Sequence, residues 1–282
     1  MFGIGIATFG AMIAFAANSL LARLALGQGA IDAATYTSIR LVSGALALAL
    51  IVAALKGRRA LQAIPGNWPS AFALFAYAVG FSYAYLDLGA ATGALILFAS
   101  VQATMISWSI GRGDRPAAVQ VIGFAIAFAA FVYLLLPGLR VPNPFGTALM
   151  ILSGVAWGVY SLRGRGLEDP LSETAGNFIR SVPFCLLLLP FAWNGMTITT
   201  GGSGLALVSG VVASGLGYAV WYHAVPRLGA TRAALVQLTV PVIAAAGAIV
   251  LLAEPLTLRF VVSSLCVLGG VGLGIAAGRA KR

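Results

Sequence analysis

Charge is what this chain has least of. Only 9% of its 282 residues are charged, and only seven are acidic. A soluble domain carries about 25% charged residues, because its surface must stay wet. With 60% hydrophobic residues and a mean hydropathy of +0.99, this chain could not cover a water-soluble globule. The same figures exclude disorder, since disordered segments are polar and charged. Histidine and cysteine are nearly absent too. His223, Cys185 and Cys266 are too few and too scattered for a metal site. Each cysteine sits in an apolar run, PFCLLLLP or SSLCVLGG, and is expected as a packed small residue rather than half of a disulfide. One histidine, with every carboxylate in a loop or at the end of an apolar run, leaves little material for acid–base catalysis. The expectation is a non-enzyme with no metal and no cofactor.

What the chain has is long apolar runs. A transmembrane helix needs roughly 20 apolar residues to cross about 30 Å of hydrocarbon. Gly, Pro and charge punctuate ten such runs: 2–26, 34–55, 68–87, 91–110, 117–136, 145–162, 172–193, 203–224, 231–252 and 257–278. The fold class is an all-α integral membrane protein with ten transmembrane helices. Run 2–26 exceeds the core of a signal peptide, about 7–15 residues, and no basic stretch precedes it, so it reads as a retained span.

Basic residues set the direction, because cytoplasmic loops carry the excess of Lys and Arg. With the N-terminus inside, the inner loops and tail hold Lys56, Arg58, Arg59, Arg112, Arg115, Arg163, Arg165, Arg227, Arg232, Arg279, Lys281 and Arg282, with Arg180 near an inner helix end. The opposite side holds Arg140 and Arg259, with Arg23 and Arg40 placed near outer helix ends. That division, thirteen to four of the 17 cations, puts both termini in the cytoplasm. The +10 net charge therefore reads as inner loops facing an anionic bilayer surface, and requires no nucleic acid.

The chain also repeats itself at an offset of 140 residues. LGAATGAL (88–95) matches LGATRAAL (228–235), Arg23 falls on Arg163, Ile39-Arg40 on Ile179-Arg180, and Asp114 on Glu254. Each half (1–140 and 141–282) holds five spans, and an odd number inserts the second half upside down. Such inverted repeats recur in transporters, where two similar halves can open one site to either side.

The two-times-five organisation, the LGA-x-x-x-A-L start of spans four and nine, and LAEP after span nine resemble the drug/metabolite transporter superfamily. The resemblance covers essentially the whole chain as two tandem EamA-type domains, and within it the sequence is similar to bacterial exporters of aromatic and other neutral amino acids. One departure is Pro241 in span nine, which falls on Val101 in span four. The resemblance implies a multi-pass protein of the bacterial inner membrane, exporting neutral amino acids by alternating access. The alternative is export of another small metabolite or a drug-like cation. No GxxxxGK[ST] loop offers ATP coupling, and no mid-depth carboxylate offers a proton relay, so gradient-driven uniport is expected.

The resemblance further implies a cavity lined by spans one, three, four, six, eight and nine, where polar and aromatic residues concentrate. Candidate substrate-binding residues are Gln102, Ser100, Asn18, Tyr77, Tyr83, Trp157, Tyr160, Gln237 and Thr239. A mid-membrane amide such as Gln102 must find a partner or cost several kcal/mol, so it either lines the cavity or bonds helix to helix. Phe81 and Tyr85, with Tyr83, and Tyr218, Trp221 and Tyr222 are candidate gates at opposite mouths; aromatic stripes also serve plain packing. Trp68 and Trp193 suit the membrane interface. Pro241 is either a hinge or a tolerated kink. The GGVGLG run, Gly269–Gly274, allows close helix approach, within a monomer or across a weak homodimer.

Overall fold

The computed structural model describes residues 2–113, 116–139, 141–193 and 196–277. Asp114, Arg115, Arg140, Arg279, Lys281 and Arg282, and the side chain of Trp193, lie outside what it describes. Among the described residues, ten helices are long and apolar enough to cross a membrane. They are α1 (Gly3–Leu26), α2 (Ala33–Lys56), α3 (Trp68–Leu88), α4 (Ala91–Gly111), α5 (Ala118–Gly138), α6 (Pro144–Arg163), α7 (Pro170–Phe191), α8 (Thr200–Leu228), α9 (Ala230–Leu251) and α10 (Leu258–Ala277). Every end agrees with the sequence reading to within four residues. Hydrocarbon offers the backbone no partners, so each crossing must bond within itself as a helix. The single β-feature among the described residues is the Ile31–Ile198 bridge, which ties two loops together.

Starts are set by side-chain caps. Asp32, Asn67, Asn143, Asp169 and Thr199 each accept a backbone N–H from the first turn of the helix they precede. Between α3 and α4 every residue is helical, with no separate loop, although the two spans part after Leu88. The connection is nevertheless a hairpin. Gly80 faces Leu149 and Ser153 of α6, while Leu97, Ser100 and Val101 face Gly154 one residue on. Residues on both sides of Leu88 therefore meet α6 at one level, so the chain reverses there.

Connections after α2, α4, α6 and α8 carry Lys56, Arg58, Arg59, Arg112, Arg163, Arg165 and Arg227, and mark the basic face. Connections after α1, α3, α5, α7 and α9 form the far face. Helix adjacency has a regularity: α1 packs on α8 and α9 as α6 packs on α3 and α4. Likewise α2 meets α8 as α7 meets α3, while α5 meets α10 and α2 meets α7. Exchanging each helix with the one five places on leaves these neighbours unchanged, which is consistent with two inverted halves.

Two helices approach backbone to backbone through glycine. Gly270 and Gly274 of α10 lie against Gly123 and Ala127 of α5, so this part of the GGVGLG run packs within the chain. A Cβ at Gly270 would stand 2.5 Å from the Gly123 carbonyl oxygen, whereas one at Gly269 would meet nothing within 4 Å. Gly270→Ala should therefore lower stability by about 1–3 kcal/mol through overpacking, and Gly269→Ala should leave it unchanged. Thermal unfolding of the two variants in detergent checks this; equal midpoints would mean that α5 and α10 are not in this contact.

Of the cysteines, Cys185 is buried as expected, but Cys266 is exposed on α10, and both are free thiols. Trp68 is exposed at a helix end, edge-on to Phe184. His223 is exposed as well.

Candidate functional site

A cavity of about 350 Å³ opens toward the far face between α1, α3, α4, α5, α9 and α10. Its walls are apolar, with Phe81, Tyr85, Phe98, Pro241 and Phe260 among them. At its mouth Arg23 pairs with Glu254, both side chains part-exposed. Glu254 is delivered by an Ala253 backbone at φ 54°, a left-handed cap that ends α9 and lets the Glu254 N–H reach the Ala248 carbonyl. Pro241 sits at a break: α9 is helical to Gln237, turns over Leu238 and Thr239, and resumes at Val240. Proline has no N–H to return to the Gln237 carbonyl, which leaves the ladder open there. Thr239 bonds back to the Val236 carbonyl at that turn.

Toward the basic face the same interior is sealed by rings. Trp157 stands 5.1 Å from Phe15, 4.9 Å from Tyr77 and 4.7 Å from Tyr218. Tyr160 stacks on Tyr222 at 4.6 Å, and the Tyr222 hydroxyl donates to the Tyr160 carbonyl. Trp221 packs edge-on to Phe15 and donates its indole N–H to Ser161. Gln237 accepts from the Trp157 indole at 2.7 Å and donates to the Met105 sulfur and the Ala233 carbonyl. Below this plug, polar ties close the surface. Arg163 donates to Ser70 and Asn67, the Asn67 backbone N–H donates to the Asn177 amide oxygen, and Arg180 donates to the Pro65 and Ile64 carbonyls. Lys56 pairs with Asp169. Partial burial works against the charge of Asp169, yet Lys56 and the Ser172 hydroxyl and N–H hold it below the usual carboxylate range.

Between cavity and plug lies a cation that the sequence reading placed near a helix end. Arg40 is the eighth residue of α2, about 10 Å along the helix from its start, and is 1% exposed. Its Nε donates to Ser214 at 2.8 Å, and its Nη2 donates to the hydroxyls of Tyr218 and Tyr77. The guanidinium carbon lies 5.3 Å from the Tyr77 ring centre. Its Nη1 is buried with no hydrogen-bond partner. Among the described residues, neither ion pair involves it. The local reason is a change of helix pitch: α8 is π-helical over Ser209–Leu216. That wider turn brings Ser209 and Ser214, five residues apart, onto the side facing Tyr36 and Arg40, four apart on α2. Asn18 joins the same network, accepting from Ser209 and donating to Tyr77 at 3.5 Å.

The predicted site residues thus separate into groups. Asn18, Tyr77, Trp157, Tyr160, Gln237, Tyr218, Trp221 and Tyr222 converge in the buried centre and plug, while Phe81 and Tyr85 face the open cavity. Gln102 donates to the Ala234 carbonyl, bonding α4 to α9, with its amide oxygen buried and unmet. Ser100 bonds its own helix at Ile96 and packs on Gly154. Tyr83 is not brought to the cavity; its ring meets Phe191 of α7. Arg40, Tyr36, Ser209 and Ser214 were not among the predicted site residues. The available signal was an arginine seven residues inside an apolar run.

Comparisons with known proteins agree with this architecture. Residues 144–275 match the EamA-like transporter family. The chain is 50% identical to an uncharacterized protein of Pseudomonas aeruginosa over 96% of this chain and 95% of that protein. It is 30% identical to an uncharacterized transporter of Archaeoglobus fulgidus over 72% of this chain and 76% of that one. A protein of known crystal structure superposes with a TM-score of 0.79 over 96% of both chains at 16% identity, a likeness of fold alone.

Proposed function

The chain belongs to the EamA-like transporter family, and on that premise we propose that it exports neutral amino acids, aromatic and aliphatic, by alternating access. The carrying observation is a cavity open at one face and sealed at the other by a plug of buried rings. The apolar cavity wall suits a hydrophobic side chain. Amides, hydroxyls and helix-break carbonyls around Asn18, Tyr77, Gln237 and Pro241 suit the polar end of a small zwitterion. In this reading the halves 1–140 and 141–282 exchange conformations, Pro241 acts as the hinge, and the substrate gradient alone drives uniport. Phe81 and Tyr85 gate the far face, and Tyr218, Trp221 and Tyr222 the basic face. The basic face lies in the cytoplasm of a bacterium, with both termini there, and the protein works in the inner membrane as a monomer or weak homodimer. The alternative, another small metabolite or a drug-like cation, is disfavoured in its cationic form by the buried Arg40 charge.

The test is reconstitution in liposomes with a panel of labelled amino acids, with and without a pH gradient. Saturable exchange of phenylalanine and leucine, unchanged by the gradient, is the expected result. Exclusion of every amino acid alongside exchange of another metabolite would select the alternative. Strong stimulation by the gradient would mean coupled transport rather than uniport.

A further inference from the structure

Resting on the amino-acid reading, we infer that Arg40 is the carboxylate anchor of the transported molecule, set between the open cavity and the ring plug. A guanidinium within the hydrocarbon thickness is costly unless its charge is compensated. Here the compensation is incomplete. Phenol and serine oxygens take Nε and Nη2, the Tyr77 ring lies beneath, and Nη1 has no partner. Plain helix pinning would be served by a neutral donor, or by an arginine paired with a carboxylate. A carboxylate ligand is the group that would use the spare N–H edge, since the planar fork of arginine matches its two oxygens.

Position makes the same argument. On the far-face side, Phe81 lines the open cavity and packs at 6.0 Å on Tyr77, whose ring carries Arg40. On the basic side, Tyr218 joins Arg40 to Trp157, Phe15 and Tyr160 of the plug. Tyr77 and Phe81 therefore stand between the cation and the open cavity, and Tyr218 between it and the plug. A carboxylate reaching Arg40 competes with the Tyr218 hydroxyl for Nη2, and so loosens a plug ring as it binds. Recognition and opening are thereby linked through a single side chain. The amino acid's side chain remains against the apolar walls, and its ammonium needs only neutral acceptors.

The experiment uses the purified full-length protein and a matched ligand series read by ligand-induced thermal stabilisation. The series is phenylalanine, its amide, phenethylamine and 3-phenylpropionate, with the leucine counterparts for an aliphatic pocket. Wild-type protein should bind both acids more tightly than the amide and amine by about tenfold or more, the scale of one charge-assisted bond. Arg40→Gln should lose that preference, and Arg40→Lys, a single point charge, should keep part of it. Tyr218→Phe retains the ring but removes the competing oxygen, so it should strengthen acid binding and leave amide binding alone. Equal binding of acid and amide by wild type overturns the proposal, as does acid preference surviving in folded Arg40→Gln. Should both Arg40 variants fail to fold, an unchanged acid-to-amide ratio in Tyr218→Phe overturns it. Arg40-dependent binding of 3-phenylpropionate without phenylalanine would retain the anchor and remove the amino-acid reading. Amino-acid transport equal in wild type and Arg40→Gln would do the reverse. Binding by no member of either series removes both.

Discussion

Replacing Trp221 by alanine is expected to shift the protein from a state open at the far face toward one open at the basic face. Trp221 is fully buried, stands 5.6 Å from the Phe15 ring and donates to Ser161 at 3.1 Å. In the gate reading these contacts are lost when the plug opens, so truncation should weaken one state and spare the other. Removing a core-packed ring costs about 3–5 kcal/mol. Two functional conformations usually differ by a few kcal/mol, so the loss suffices to invert the population. Single cysteines at Ser19, on the cavity wall, and at Ala224, buried toward the basic face, report the shift once Cys185 and Cys266 are replaced by serine. In Trp221→Ala, labelling should rise at position 224 and fall at position 19. In the gate reading Phe81→Ala should act oppositely, because Phe81 lines the mouth that is open here and would be covered when that mouth closes in the other state. Movement of both reporters in one direction, or of neither, would make these rings packing residues and not gates.

Gly176→Ala is the second large effect to expect, and it acts through backbone alone. A Cβ at Gly176 of α7 would lie 1.6 Å from the Pro65 carbonyl oxygen and 2.7 Å from its carbon. No side chain can rotate out of the way, so α7 must lift from the 64–66 segment. That movement breaks the Arg180 bonds to Pro65 and Ile64 and pulls Asn177 from the Asn67 N–H. Overpacking costs about 1–3 kcal/mol and occasionally more, and the lost bonds put this site at about 3 kcal/mol or above. Thermal unfolding should show the loss, and a cysteine at position 224 should become reactive as the basic face loosens. Gly201→Ala is the control, since nothing lies within 4 Å of its Cβ position. Equal stability of the two variants would mean that the closed basic face is not the dominant arrangement.

Much of the architecture was legible in the residue order. Ten apolar runs became ten helices because length and hydropathy are local quantities. The cap residues Asp32, Asn67 and Asn143 stand where the runs begin. The polar and aromatic residues of α1, α3, α6, α8 and α9 were recognisable as a set, and most converge. Tyr83 does not, although it lies two residues from Phe81, because neighbouring positions on a helix point in different directions. Arg40 was counted with the helix ends by its distance along the chain, while its burial depends on α8, more than 170 residues away.

The sequence by itself therefore determined the membrane class, the number of crossings and their approximate ends. Hydrocarbon leaves a backbone no choice but to bond within each crossing, and that demand is met run by run. Tertiary structure alone decided which rings form the plug, which face is open, and that the arginine of α2 meets two tyrosines and a serine from other helices. Those pairings depend on how each helix is rotated and tilted, and packing against neighbours sets rotation and tilt. Local composition carries no record of either, so a charge at the centre of the molecule and one at its surface read alike in the chain.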